Sequence, residues 1–321
     1  MFRLFDDAKY DVLAVWRIAA IAAVVFMLPG LSLLLFRGLN TSIEFTGGTL
    51  IQLSASEGIE TADIRSALAP TELDGAEIQT FGAPDEFVVR ARLDSDEEVS
   101  EATTQRTGVV LDSVLTAVFG ADSYEIQRTE AISPKVGGEL RTRVQQALFL
   151  AFGAIFVVIW FRYEWRFGLA AVAATVHDIL TTLAFISLVN LEVSLVVVAG
   201  LLTIIGYSLN DTIVTFDRVR ENLKKYKRKS IYEILNRSIN ETLPRTVLTS
   251  GTTLAATLAL LFLAGQSISG FAAVMTFGVL TGTFSSIFIA SPILLAIERR
   301  WPGEDVRGAK TISQAGATVV R

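Results

Sequence analysis

Residues 193–216 read VSLVVVAGLLTIIGYSLNDTIVTF and place one aspartate, Asp211, inside a segment that is otherwise free of charge. About 20 apolar residues in a helix cover the roughly 30 Å of bilayer hydrocarbon, so this segment predicts a membrane-spanning helix. An ionised aspartate in hydrocarbon costs about 2.5–3.5 kcal/mol and normally faces a protein interior, a cation or a proton path. The segment therefore predicts both a membrane protein and a functional carboxylate.

The rest of the chain extends this prediction to an all-α bundle. Of its 321 residues 51% are hydrophobic, and the mean hydropathy is +0.49. The apolar runs predict six transmembrane helices, at 13–36, 144–161, 167–189, 193–216, 247–263 and 271–297. The first run is longer than the apolar core of a cleaved signal peptide, so we expect a retained anchor. Pro292 predicts a bend near the end of the last span.

A polar segment, residues 37–141, separates the first two spans and holds 19 acidic and 8 basic residues. Hydrophobic periodicity predicts strands and helices in the order βαββαβ. The strands are predicted at 41–54, 77–82, 86–93 and 123–132, and the helices at 61–68 and 95–119. This order is typical of an α+β ferredoxin-like domain. The acidic balance argues against nucleic acid as a partner, because a phosphate polymer would be repelled.

Lys and Arg in the short connections predict the orientation of the bundle. The connection at 217–244 is strongly basic, whereas the turns at 190–192 and 265–269 hold no Lys or Arg. Basic loops face the cytoplasm, so both termini are predicted to lie inside and the polar domain outside. Apolar residues among the charges of 218–237 suit a helix lying on anionic headgroups. The predicted units are a cytoplasmic N-terminus with the first span (1–36), an extracytoplasmic domain (37–141), a five-span bundle with a basic cytoplasmic loop (142–298) and a cytoplasmic tail (299–321).

Asp211 and Arg245 are the first candidate site pair. Arg245 opens the fifth span, directly after Pro244, and both residues are predicted near the cytoplasmic ends of their helices. An arginine stays charged while an aspartate titrates, so protonation of Asp211 would release Arg245 and let the helices shift. The alternative interpretation is a fixed ion pair that only orders the two helices.

A second candidate group lies in the third span, where Asp178 follows the only histidine, His177. Asp178 is predicted to join a proton relay, with a packed, hydrogen-bonded pair as the alternative. His177, Asn210 and Thr249 are candidate polar supports of the same path. The Gly-x-x-x-Gly of the sixth span, Gly278 to Gly282, predicts close helix packing.

Five motifs in this chain resemble the SecD/SecF family of protein-export membrane proteins. They are Ile-Glu-Phe-Thr-Gly-Gly-Thr (43–49), Val-Gly-Gly-Glu-Leu (136–140), His-Asp (177–178), Gly-Tyr-Ser-Leu-Asn-Asp-Thr-Ile-Val (206–214) and Asn-Glu-Thr-Leu-Pro-Arg-Thr (240–246). The glycines of the first two motifs predict tight turns where the outer domain meets the membrane. The resemblance implies one six-helix half of an RND-type transporter, with SecD supplying the other half.

The resemblance also implies a role in late polypeptide translocation through the SecYEG channel, driven by the proton-motive force in the bacterial inner membrane. The implied partners are SecD, SecYEG, the unfolded polypeptide and the bilayer, with YajC and SecA as further candidates. An RND-like exporter of small molecules or lipids and a passive translocase scaffold are the alternatives. The chain has no Cys, one His and no identifiable nucleophile–base pair, so we expect no enzyme activity, cofactor or metal site.

Overall fold

A computed structural model of the chain describes residues 8–56, 58–80, 83, 85–91 and 101–302. The helices are α1 (Trp16–Arg37), α2 (Ile43–Thr46), α3 (Thr61–Leu68), α4 (Glu101–Phe119), α5 (Pro134–Arg162), α6 (Trp165–Leu188), α7 (Leu195–Lys225), α8 (Ile231–Leu263), α9 (Gln266–Ser285) and α10 (Ser291–Arg300). A π-helical segment, Ser286–Ala290, joins α9 to α10 in one span. Six spans of this described part are long and apolar enough to cross a membrane, which confirms the predicted bundle.

The α+β domain between α1 and α5, which is predicted to lie outside and is called the outer domain, has the predicted ferredoxin-like topology. Its strands are β1 (Gly48–Ala55), β2 (Glu77–Thr80), β3 (Glu86–Ala91) and β4 (Tyr124–Ile132), in the antiparallel order β2-β3-β1-β4. One face of the sheet packs on α3 and α4 through buried side chains that include Ile51, Leu53, Phe87, Leu111 and Leu115. Residues 81–82, 92–93 and 95–100 of the predicted elements lie outside the described residues.

The strand predicted at 41–54 is interrupted near its start. Residues 43–46 form the single turn α2, and β1 begins only after it. Gly47 and Gly48 have φ angles of 75° and 136°, which side-chain-bearing residues rarely adopt, so the chain can reverse there. Hydrophobic alternation alone does not reveal this break, because Ile43 and Phe45 fit a strand pattern equally well.

Three spans, α5, α7 and α8, extend furthest beyond their apolar runs. α5 starts at Pro134 and is capped by Ser133, whose hydroxyl accepts from the backbone N–H of Val136 at 3.3 Å. Hydropathy locates only the lipid-embedded part of a helix, so it places this start ten residues too late. In the same way α7 and α8 run through most of the predicted loop 217–244, leaving a connection at 226–230.

The residues 218–237 form a helical hairpin rather than a single helix on the membrane surface. Val219, Leu223, Ile234 and Leu235 are buried against one another and against Phe216. Their apolar side chains are therefore satisfied inside the protein and do not face lipid. At the base of the hairpin, Glu241 accepts hydrogen bonds of 2.7 Å from Arg218, Asn222 and Arg237.

Two adjacent glycines of α5 test how the outer domain packs on the bundle. Both glycines are helical, so the tight turn predicted for this motif is wrong. A Cβ on Gly137 would lie 2.9 Å from the backbone carbonyl of Phe45, whereas a Cβ on Gly138 would meet nothing within 4 Å. Such over-packing lowers the free energy of unfolding by about 1–3 kcal/mol. We expect Gly137→Ala to lower the melting temperature in detergent and Gly138→Ala, the matched control, to leave it unchanged or raise it. Equal losses in both variants would contradict close packing at Gly137.

Candidate functional site

Close contact between α7 and α9 positions the candidate site. A Cβ on Gly278 would overlap the side chain of Ile204, and one on Gly282 would lie 2.9 Å from the Cβ of Ser208. The prediction of close packing from the Gly-x-x-x-Gly motif is therefore confirmed. The two helices approach so closely that polar side chains on their facing surfaces can hydrogen-bond without water.

Asp178 is buried at the junction of three helices, with 1% of its surface exposed. Its Oδ2 accepts hydrogen bonds from Ser208 of α7 and from Ser285 of α9, the latter at 2.7 Å. Its Oδ1 lies 3.0 Å from Nδ1 of His177, so the two predicted neighbours are in contact. The two hydroxyls donate to the carboxylate, whereas the role of His177 Nδ1 depends on the tautomer of its ring.

Asp211 is also buried, with 4% exposure, but has fewer partners. Its Oδ2 accepts one hydrogen bond, of 3.3 Å, from Ser250 of α8, and the Ser250 hydroxyl lies 2.7 Å from that of Thr283 on α9. Ser208 and Asp211 are three residues apart on α7 and so lie on one face of it. The two carboxylates thus share the interface of α7 and α9.

Arg245 does not form the predicted direct pair with Asp211. It lies on the exposed side of α8 and makes no ion pair within 4.0 Å among the described residues, although its charge acts on Asp211 through space. The side of α8 that carries Arg245 also exposes Thr252 and 68% of Leu248. Among the described residues this side of α8 is exposed, so the described part of the chain does not hold the guanidinium against the carboxylate.

The other predicted supports lie outside the two carboxylate clusters. The Thr249 hydroxyl donates to the backbone carbonyls of Arg245 and Thr246, at 3.0 and 3.1 Å, and Asn210 is exposed. Sequence reasoning missed Ser208, Thr283 and Ser285 as partners. Helical spacing was a signal for Ser208 alone, since Ser208 precedes Asp211 by three residues on α7. Among the described residues, no group of three His, Cys, Asp or Glu could hold a metal ion.

A third aspartate of the bundle, Asp217, differs from Asp178 and Asp211 in its surroundings. It is partly exposed near the end of α7 and lies 3.8 Å from Arg220 and 3.9 Å from Arg162. Burial, together with the hydrogen bond to Asp217, raises the pKa of the neighbouring Tyr163 to about 12. The phenol therefore stays protonated at neutral pH and can donate to Asp217. Asp217 therefore provides a matched control for the two buried carboxylates.

Comparison with known proteins identifies the family. A family model described as protein export membrane protein SecD/SecF, C-terminal, matches residues 112–300, and the SecD/SecF GG motif model matches residues 32–59. The chain belongs to the SecD/SecF family of protein-export membrane proteins. Protein translocase subunit SecF of Gemmatimonas aurantiaca is 50% identical over 98% of this chain and 95% of its own length. The SecF of Desulfurispirillum indicum is 47% identical over 81% of this chain and 82% of its own length.

Solved SecDF structures share the fold of this SecD/SecF family member. The crystal structure of SecDF from Thermus thermophilus, described as a translocon-associated membrane protein, matches with a TM-score of 0.81 and 33% identity over 94% of this chain. A SecDF structure in a super-membrane-facing form matches with a TM-score of 0.68 and 34% identity over 98% of this chain. The chain spans 40% and 41% of those two chains. It is thus a multi-pass membrane protein with the fold of one part of SecDF.

Proposed function

We propose that this chain is the SecF-type subunit of a bacterial protein-export machinery that uses the proton-motive force to assist late polypeptide translocation. The observation that carries the proposal is Asp211, a buried carboxylate in a membrane helix. It has one hydroxyl partner and lies near an arginine, Arg245, that forms no ion pair with any described residue. A group in these surroundings can change its charge at tolerable cost, because few contacts favour either form.

Protonation of Asp211 would act as the switch in this mechanism. The ionised carboxylate attracts Arg245, whereas the protonated one holds only the Ser250 hydroxyl, so α8 and α7 prefer different relative positions in the two states. A membrane potential of 100 mV supplies about 2.3 kcal/mol per charge, which biases two states that differ by a few kcal/mol. Asp178 joins the relay in this proposal, and Ser208 connects it to the helix that carries Asp211.

The exposed side of α8 supports a partner that supplies a second bundle. Arg245, Leu248 and Thr252 share this side, and an arginine at membrane depth is expected to face protein rather than lipid. SecD is the proposed partner, because the solved SecDF chains extend well beyond the part that this chain matches. SecYEG and the unfolded polypeptide are further proposed partners, followed by YajC and SecA.

In the proposed topology the chain lies in the inner membrane with both termini in the cytoplasm and residues 37–141 outside. The basic end of the hairpin formed by α7 and α8 supports this orientation, since Lys and Arg concentrate on cytoplasmic loops. The chain itself would catalyse no covalent reaction and hold no cofactor. Its work would be conformational, with the proton gradient as the energy source.

Reconstitution with SecD and the SecYEG channel tests the proposed function. We expect the SecD–chain pair to speed the completion of a trapped translocation intermediate when a proton gradient is imposed, and to lose this effect when an ionophore collapses the gradient. The same acceleration without a gradient would favour a passive scaffold. Gradient-driven efflux of small molecules or lipids, with no effect on the polypeptide, would favour an exporter.

A further inference from the structure

The first turn of α7 is held by a side chain of the outer domain. Oε2 of Glu44, in α2, accepts the backbone N–H of Leu195 at 2.5 Å and the hydroxyl of Ser42 at 3.1 Å. The first N–H groups of a helix have no partner within the helix and carry partial positive charge, so a carboxylate there both caps and stabilises it. Ser194 caps the same turn by accepting from Val197 at 3.3 Å. Glu44 thus acts as a second cap supplied from another part of the fold.

Backbone hydrogen bonds reinforce this connection. The N–H of Ser42 donates to the carbonyl of Val193 at 3.0 Å, and the N–H of Val193 donates to the carbonyl of Asn40 at 2.7 Å. Thr41 and Val193 form a parallel β-bridge. The chain leading into the outer domain is therefore paired with the residues that lead into α7.

An ion pair ties the sheet to the same turn. Arg90, on β3, binds Glu192, which lies in the connection between α6 and α7. The side chains are 10% and 25% exposed, so water screens the pair only partly. This contact joins the centre of the sheet, rather than its entry segment, to the start of α7.

These contacts matter because α7 has no covalent link of its own to the outer domain. The chain enters the domain from α1 and leaves it into α5, whereas α7 meets it through tertiary contacts. These are the interactions described above and the packing of Phe45 against the apolar cluster that includes Val193 and Val197. α7 is one continuous helix of 31 residues, and Asp211 follows Leu195 by 16 residues, or about 24 Å along the axis. A rigid helix of this kind carries a displacement from one end to the other.

We propose that Glu44, together with the Arg90–Glu192 ion pair, forms the joint through which a movement of α7 at Asp211 reaches the outer domain. The inference rests on the proposed function, because it needs a movement of α7 to transmit. Glu44 is a positioning residue in this mechanism. It fixes the outer end of the helix that carries the titrating carboxylate.

Distance measurements between spin labels test the joint directly. The chain has no Cys, so two introduced cysteines are its only labelling sites in a complex with a cysteine-free SecD. The outer pair, at Ser66 and Leu263, measures the distance from the outer domain to the outer end of α8. The inner pair, at Lys224 and Arg300, measures the distance from the inner end of α7 to α10. Asp211→Asn serves as the permanently uncharged state. We expect it to shift both distance distributions in lipid.

Changes at Glu44 should separate the two responses. With Glu44→Ala we expect the inner pair to respond to Asp211→Asn and the outer pair to lose its response. Glu44→Gln keeps an acceptor for the N–H of Leu195 and should retain the outer response even if the alanine variant folds poorly. Glu125→Ala, an exposed glutamate of β4, is the control and should change neither pair.

Charge reversal gives an independent test of the ion pair. Arg90→Glu or Glu192→Arg alone should weaken the outer response, and the double reversal should restore it. An outer response that persists in Glu44→Ala and in both single reversals, while the inner pair still moves, overturns the joint. If Asp211→Asn alone, with Glu44, Arg90 and Glu192 unchanged, shifts the distances of neither pair, the proposed function is overturned, and the joint with it.

Discussion

Asp211→Asn is expected to abolish gradient-dependent export and to leave gradient-independent translocation at the level of membranes that lack the complex. Asparagine has nearly the same shape and still offers an oxygen to the Ser250 hydroxyl, so the fold should persist. It cannot ionise, and the electrical drive of about 2.3 kcal/mol per charge at 100 mV is lost with the charge. We therefore expect the stimulation by the gradient to fall at least about tenfold, measured as the rate of completed translocation.

Asp217→Asn is the matched control for this experiment. It changes the same residue type on the same helix, but at a partly exposed position next to Arg162 and Arg220. Exposed ion pairs contribute about 0–1 kcal/mol, so this variant should export normally. Full gradient stimulation in Asp211→Asn, or an equal loss in both variants, would contradict a specific role for the buried carboxylate.

Substitutions of Asp178 are expected to separate charge from packing. Alanine would remove the acceptor of the Ser208 hydroxyl, one of the two acceptors of the Ser285 hydroxyl and the polar contact of His177. Each buried group left unsatisfied costs about 1–3 kcal/mol, so Asp178→Ala should lower the melting temperature in detergent and the yield of the complex. Asp178→Asn keeps one acceptor oxygen and should fold, yet lose most of the gradient-driven export.

Thermal unfolding and the export assay should be measured on the same preparations of both Asp178 variants. If Asp178→Asn exports at the wild-type rate, the residue is a packing group and the relay consists of Asp211 alone. If both variants unfold at the same lowered temperature, the negative charge itself holds α6, α7 and α9 together.

Sequence patterns predicted the features that depend on local composition. Six apolar runs predicted the spans, because lipid requires apolar side chains along the whole length of a helix that crosses it. The βαββαβ order predicted the sheet, because burial of one face of an element imposes hydrophobic periodicity. The same patterns misplaced the start of α5 and hid the hairpin of α7 and α8. Polar helix ends outside the hydrocarbon carry no hydropathy signal, so their extent depends on caps and tertiary contacts.

Long-range partners were beyond prediction from the sequence. The contact of Glu44 with Leu195 joins residues 151 positions apart, and the bond between Asp178 and Ser285 joins residues 107 apart. The predicted pair of Asp211 and Arg245 assumed that two charges at similar depth must meet. Arg245 instead lies on a side of α8 that is exposed in the part of the chain that the structure describes, and the sequence of one chain does not contain the proposed partner.

Infrared difference spectroscopy on the reconstituted complex tests most directly whether Asp211 gains and loses a proton during export. A protonated buried carboxyl has a carbonyl stretching band that the ionised form lacks. We predict that imposing a proton gradient changes the intensity of such a band, that Asp211→Asn removes the change, and that Asp217→Asn preserves it. A band whose intensity does not change with the gradient, or a change in intensity that persists in Asp211→Asn, would contradict proton switching at Asp211.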